Sequence, residues 1–244
     1  MIRTEKPASR PRPVFIAALP REIASLVAQK GWRAIATQLG RGIHLYEHED
    51  AVVACAGMGA SRASLAVEAG LSQGDASELI SVGWAGACDH ALKVGAVVRP
   101  GIVIDARTGE RFFICEPAET ELPQIVVTVA SPASVIDKQR LALSYLASAV
   151  DMEAAAIARI ARARGIAFDA IKAISDDADF EIPDLEEFST ARGQIRELAF
   201  GLHVALSPTL WKPVLTMAKG SKLAAERLRA EIEAYIQLRR DRHS

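Results

Sequence analysis

Short apolar runs alternating with segments of helical periodicity predict an α/β fold, a mixed β-sheet covered by helices on both faces. Two observations carry this prediction. Val14–Leu19 and Ala51–Ala56 are continuously apolar and Leu79–Val82 is so apart from Ser81, as strands buried on both faces are. The first two of these runs pass through Pro20 or through Gly57-Met58-Gly59 directly into residues of helical spacing. At 244 residues, such a chain commonly forms one domain around one core.

Taken in order, Val14–Leu19 is a buried strand, and Glu22, Ile23, Leu26 and Val27 continue it as a helix after Pro20. Arg33–Gln38 and Ile43–His48 alternate apolar with polar residues around Gly40-Arg41-Gly42, the pattern of a hairpin with one solvated face. Ala51–Ala56 is a strand, and a helix follows from about Ser61 to Ser72. Leu79–Val82 is a strand that meets Gly83-Trp84-Ala85-Gly86, read as a glycine-flanked turn. Further strands are expected over Gly95–Ala106, Arg111–Cys115 and Gln124–Ala130. A helix over Met152–Arg164, a strand over Phe168–Ile174, a polar loop and C-terminal helices complete the chain, which has no internal repeat. In folds of this kind the chemistry sits on loops at strand ends.

Composition narrows the classes of function. Half of the residues are hydrophobic and 24% are charged, an ordinary globular balance, and the net charge of -1 lacks the basic excess of nucleic-acid binders. Small molecules are the expected partners, with no nucleic acid. Cys55, Cys88 and Cys115 are far apart and have no C-x-x-C spacing, so they read as reduced and mostly buried thiols. The segment Met1–Pro13 has no apolar signal-peptide region, and no apolar run reaches the roughly 18 residues of a membrane span. A cytoplasmic setting is expected. His44, His48, His90, His203 and His243 are scattered, and nothing in the sequence calls for a metal or another cofactor.

Several residues qualify for chemistry. Glu153 opens a helix continued by Ala154, Ala155 and Ala156, which let other backbone approach closely; a plain helix N-terminal carboxylate would look the same. Asp176 follows an apolar strand, and Asp177 and Asp179 crowd it with like charge. Such crowding, with partial burial, can keep a carboxylic acid protonated for proton donation. A metal-binding or merely solvated acidic loop remains open on spacing alone. Gly57-Met58-Gly59 brings backbone N–H groups close to a phosphate or sugar, but Arg62 stands where a dinucleotide fingerprint has its third glycine, which disfavours a nicotinamide cofactor. Ser131 and Ser134 lie outside any G-x-S-x-G context.

With Val150-Asp151-Met152-Glu153-Ala154-Ala155-Ala156 and Ala173-Ile174-Ser175-Asp176 in hand, the chain resembles the nucleoside phosphorylase superfamily, and within it the methylthioadenosine/S-adenosylhomocysteine nucleosidases. Ala17-Ala18-Leu19-Pro20-Arg21-Glu22, Gly57-Met58-Gly59, and Val82-Gly83-Trp84-Ala85-Gly86 followed by Leu92-Lys93-Val94-Gly95 extend the match from Val14 to about Asp179. The resemblance implies a three-layer α/β sandwich around a central mixed sheet, assembled as a homo-oligomer. It implies a catalytic domain over residues 14–206 and a helical extension over 207–244 packed on it. It also implies cleavage of the N-glycosidic bond of a purine nucleoside such as methylthioadenosine or S-adenosylhomocysteine. Asp176 would protonate purine N7, Glu22 would activate water, Glu153 would bind the ribose hydroxyls, and Met152 would pack against the sugar. Ser175, Gly83, Gly57 and Gly59 would complete the substrate contacts.

The departures concern the nucleophile and the base. Phosphorylases of the bacterial hexameric type place an arginine before the V-G turn where this chain has Ser81, and Trp84 replaces a small hydroxyl residue. A phosphate dianion without that guanidinium would be poorly held. Arg21 and Arg62 keep phosphate contact, and therefore a phosphorylase, as an alternative. Ser131–Ile136 carries no aromatic where the nucleosidases stack one on the purine. Beyond Phe180 a tail with Pro208-Thr209-Leu210-Trp211-Lys212-Pro213 resembles the hopanoid-associated phosphorylases, which implies an adenosyl lipid as another substrate. From Leu223 to Leu238, the residues Ala224, Leu228, Ile232, Tyr235 and Ile236 form the apolar stripe of a packed helix. Arg239, Arg240 and Arg242 raise peripheral membrane contact as the sharper reading of the same helix. A nucleoside-binding protein without catalysis is the non-enzyme alternative.

Overall fold

The computed structural model describes residues 10–114, 122–181 and 211–242. Its strands are β1 (Arg12–Ala17), β2 (Arg33–Ile35), β3 (His44–Glu47), β4 (Val52–Cys55), β5 (Ala76–Ala87), β6 (Val97–Val98), β7 (Ile102–Asp105), β8 (Arg111–Phe113), β9 (Ile125–Thr128), β10 (Ala149–Asp151) and β11 (Ala167–Asp176). The helices are α1 (Pro20–Val27), α2 (Ala60–Leu71), α3 (Val135–Tyr145), α4 (Ala154–Arg164) and α5 (Trp211–Asp241).

All of these strands join one mixed sheet in the order β2-β3-β4-β1-β5-β10-β9-β7-β8, with β11 pairing to β5 and β6. β5 is its spine. Its first half pairs in parallel with β1 and its end pairs antiparallel with β10, while β11 runs parallel along the opposite edge. Successive side chains of a strand face opposite ways, and the core divides accordingly. Phe15, Val53, Ile80 and Ile171 pack under α1 and α5, whereas Val14, Ile16, Val52 and Leu79 pack under α2 and α4. α3 covers Ile104, Val127 and Val150 at the other end of the sheet through Leu141. This is the α/β sandwich around a mixed sheet that the sequence indicates.

α5 belongs to that core. Ala224, Leu228 and Ile232 are fully buried against β1, β5 and β11. Two of the three arginines near its end are engaged: Arg239 pairs with Glu78 and lies over the Tyr235 ring, and Arg240 pairs with Asp50. Among the described residues, no helix is long and apolar enough to cross a membrane. Pro208, Thr209 and Leu210 lie outside the described residues, as does Cys115.

Four local expectations need correction. Gly83–Gly86 is not a turn: β5 continues through it, held by the pairing of Lys172, Ala173, Ile174 and Asp176 with Gly83, Trp84, Ala85 and Gly86. The stretch Gly95–Ala106 is divided into β6 and β7, because Pro100 and Gly101 interrupt the ladder between them. α4 starts at Ala154 rather than Met152, with Glu153 at its N-cap. Both α3 and the three-residue β10 went unforeseen, although Ser134 caps α3 by accepting from Asp137 N at 3.1 Å.

Candidate active site

The ends of β1, β5, β9, β10 and β11 converge on a cavity of about 650 Å³, and α1 and α5 close its side. Its wall includes Leu19, Arg21 and Glu22, then Trp84 and Gly86, then Val129, Ser131 and Pro132. Met152, Glu153, Ser175 and Asp176 complete it from the strand ends, and Val214, Met217, Ala218 and Ala225 from α5. A mixed sheet places ligands at such strand ends because the loops there are free to diverge.

Glu22 occupies the first turn of α1, which Pro20 starts. Its Oε2 accepts from the backbone N–H groups of Ala18 at 2.9 Å and Leu19 at 2.8 Å, and Oε1 accepts from Trp84 N at 3.0 Å. Burial pushes its carboxyl up from the ordinary range, and the three N–H donors and the Lys172 ammonium offset that only in part. Gly83 makes this approach possible: a Cβ there would lie 3.0 Å from Glu22 Oε1 and 3.3 Å from Cδ. The glycine pair around Trp84 thus serves close packing rather than chain reversal.

Glu153 faces the same cavity from the mouth of α4. Its Oε1 accepts from Gly59 N at 2.7 Å. Gly59 has φ of +88°, a conformation that glycine adopts without strain, and this aims its N–H out of the strand-to-helix turn. Burial first, and then the neighbouring Asp151 charge, push the Glu153 carboxyl up to about 8. Beneath it lies a buried ion pair. Lys172 Nζ stands 2.8 Å from Asp151 Oδ2 and donates to Ser81 Oγ at 2.9 Å. Asp151 also accepts from Thr128 Oγ1 at 2.6 Å and from Ala154 N at 2.9 Å. Burial opposes the charge on Lys172, but the carboxylates of Asp151, Glu153 and Glu22 outweigh it and raise the ammonium above its ordinary value.

Asp176 is 7% exposed at the end of β11. The like-charge crowding expected around it is absent, because Asp177 Oδ1 accepts from Val94 N at 3.0 Å and Asp179 pairs with His90 at 3.2 Å. A cation is its neighbour instead. Lys138 Nζ donates to Asp176 Oδ2 at 2.5 Å, and Ser175 Oγ donates to Oδ1 at 2.6 Å.

The remaining sequence candidates separate. Arg21 reaches the cavity wall with its guanidinium 5.1 Å from the centre of the Trp84 ring. Arg62 is outside that wall, donating from Nε to the Ala56 carbonyl at 2.6 Å and from its guanidinium to Gly42 at 3.5 Å. Gly57 N donates to the Ala18 carbonyl at 2.9 Å, which ties the glycine turn to the loop before α1. Ser81 lies below the cavity floor against Lys172. Cys55 and Cys88 are free and buried, each pushed up to about 12 by burial. Among the described residues no group of His, Cys, Asp and Glu is placed to hold a metal ion.

Lys138, Lys172 and Thr128 were not singled out from the sequence. Lys172 left a signal, a lone cation within the apolar strand Phe168–Ile174, where burial demands a partner. Lys138 left none, since α3 itself went unforeseen.

The family model of the phosphorylase superfamily matches the chain over residues 13–135 and 108–206, more than half of its length. Among curated proteins, none matches the sequence. Solved structures with this fold include an Arabidopsis thaliana 5'-methylthioadenosine nucleosidase, at 18% identity and a TM-score of 0.66, covering 94% of this chain and 96% of that one. The futalosine hydrolase of Helicobacter pylori matches at 14% identity and a TM-score of 0.61, over 92% of this chain and 98% of its own. A 5'-methylthioadenosine/S-adenosylhomocysteine nucleosidase of Neisseria meningitidis, in complex with methylthio-immucillin-A, matches at 21% identity and a TM-score of 0.59, over 91% and 100% of the two chains.

Proposed function

Because the chain belongs to the phosphorylase superfamily, we propose that it is a nucleosidase that cleaves the N-glycosidic bond of a purine nucleoside such as methylthioadenosine or S-adenosylhomocysteine, releasing adenine. The observation that carries this reading is the convergence of three buried carboxylates, Glu22, Glu153 and Asp176, on one cavity with three different sets of neighbours. Cleaving the bond builds positive charge on the ribose, so the leaving base needs a proton while the opposite side needs an activated water. Asp176 supplies the proton to purine N7, with Ser175 fixing one of its oxygens. Glu22 takes the proton from water: burial makes it a stronger base, and Oε1 keeps acceptor capacity beyond its one bond to Trp84 N. Glu153 holds the ribose hydroxyls, and Met152 packs against the sugar.

Phosphorolysis is the second reading, and Arg21 in the cavity wall favours it. Two observations weigh against it: Arg62 is bound to carbonyls away from the wall, and Ser81 is engaged by Lys172. Incubation with methylthioadenosine and S-adenosylhomocysteine, with and without phosphate, separates the two. The expected result is adenine and free sugar at equal rates in both conditions. Strict phosphate dependence with a sugar 1-phosphate product would replace hydrolysis by phosphorolysis, and ligand-dependent melting without any base release would leave a binding protein.

A further inference from the structure

Lys138 projects from α3 with 1% of its side chain exposed. Removing an ammonium from water costs several kcal/mol unless its donors are satisfied, and here all three are used. Nζ donates to Asp176 Oδ2 at 2.5 Å, to the Asp177 carbonyl at 3.0 Å and to the Phe180 carbonyl at 3.0 Å. These acceptors belong to the end of β11 and the loop after it, so one side chain fastens that whole segment to α3. No N–H of Lys138 is left over for a ligand.

The opposite strand makes room for the pair. A Cβ at Gly86 would lie 2.8 Å from Asp176 Oδ2 and 3.1 Å from Lys138 Cε. Only glycine at that point of β5 leaves the carboxylate and the ammonium in contact. Ser175 Oγ holds the other oxygen of Asp176 at 2.6 Å, so the plane of the carboxyl group is fixed at both ends.

We propose that Lys138 is a positioning residue for bond cleavage: it holds the carboxyl group of Asp176 at the cavity wall, in place for proton transfer to the base. The proposal rests on the nucleosidase reading above. In the step, the O–H bond of Asp176 breaks and the N7–H bond forms, while the electron pair of the N-glycosidic bond goes to the base. Water adds to the ribose carbon and gives its proton to Glu22. Lys138 keeps its own protons throughout, and its contact with Oδ2 holds the carboxyl group in one orientation while the proton passes, so the donor needs no reorientation at the moment of reaction.

The test is a double-mutant cycle with methylthioadenosine as the probe, combining Lys138→Met with Asp176→Asn and measuring kcat, KM and Tm for each variant. Lys138→Met is expected to lower kcat by about 30-fold or more with KM changed by less than about threefold, the pattern of a group that acts in the transition state. In the Asp176→Asn background the same change should cost less than about twofold, because the group that Lys138 acts through is gone. An equal loss of kcat in both backgrounds would overturn the proposal, since a purely structural lysine multiplies through. Where Lys138→Met does not fold, Lys138→Arg takes its place in the cycle under the same criterion. Asp176→Asn with wild-type kcat would sink the acid role assigned to Asp176 and this inference with it, whereas no release of adenine by the wild-type protein would sink the nucleosidase reading. An inactive Asp176→Asn beside a fully active Lys138→Met would sink this inference alone.

Discussion

At the scale of single residues, the site is organised by two buried lysines, each 1% exposed and each paired to a carboxylate. Lys172 is bound by Asp151 and Ser81 beneath Glu22 and Glu153, and it is the charge that keeps three neighbouring carboxylates compatible with burial. Breaking a buried pair from one side leaves an uncompensated charge, so Lys172→Met should destabilise the protein by about 3–5 kcal/mol. Urea unfolding measures this, and Lys172→Met combined with Asp151→Asn should recover part of the loss; a cost below about 1 kcal/mol for the single change would show that the pair contributes little. The contrast with the carboxylates explains what the sequence revealed. Glu153 and Asp176 stand at the head of a helix and the end of an apolar strand, positions visible in a local pattern. Thr128 and Lys138 are defined by partners 23 and 38 residues away, which no local pattern contains.

At the scale of elements, close approach rather than turning explains Gly83 and Gly86 beside the cavity. Gly83 and Gly86 make a turn the natural reading of the sequence, yet β5 runs straight past them because β11 pairs with it across that stretch. Their missing side chains admit Glu22 on one side and the Lys138–Asp176 pair on the other. Gly220 does the same within α5, where a Cβ would lie 2.3 Å from the Ser175 carbonyl oxygen, one residue before Asp176. In an ordinary helix interior, replacing glycine by alanine stabilises by roughly 0.5–1 kcal/mol. Here the obstacle is backbone, so Gly220→Ala is expected to destabilise by about 1–3 kcal/mol, as overpacking does. The same change should lower turnover, because α5 must move off β11 at the residue that holds Asp176. A thermal melt with a parallel activity assay tests both, and a stabilised, fully active variant would show that the helix shifts freely. α3 escaped the sequence reading for a related reason: few of its residues are buried, and its fixed point is the polar Lys138.

At the scale of the whole molecule, two carboxyls of the cavity, Glu22 and Glu153, are held above their ordinary range, and this sets the direction in which stability responds to pH. Burial raises Glu153 to about 8, and it raises Glu22 and Asp169 as well. A carboxyl whose folded value exceeds its unfolded value binds a proton more tightly in the folded state. Its stabilisation is fully present below the unfolded value, and for Glu153 it is lost as pH rises from about 4.5 through about 8. The carboxyls that arginine partners or a serine hydroxyl hold low, Glu47, Asp105, Glu110 and Asp137, have the opposite sign. Their contribution is lost only as pH falls below the ordinary carboxylate range, so they do not offset Glu153 above it. The protein should therefore melt at a lower temperature at pH 8 than at pH 5. Glu153→Gln should flatten that slope, since an amide keeps the shape of the protonated side chain without its titration. A Tm that rises between these pH values in the wild type, or a slope unchanged in Glu153→Gln, would contradict the assignment of the drop to this residue. The same linkage joins stability to the site: the carboxyl assigned to the ribose hydroxyls is the group whose titration lowers the Tm between pH 5 and pH 8.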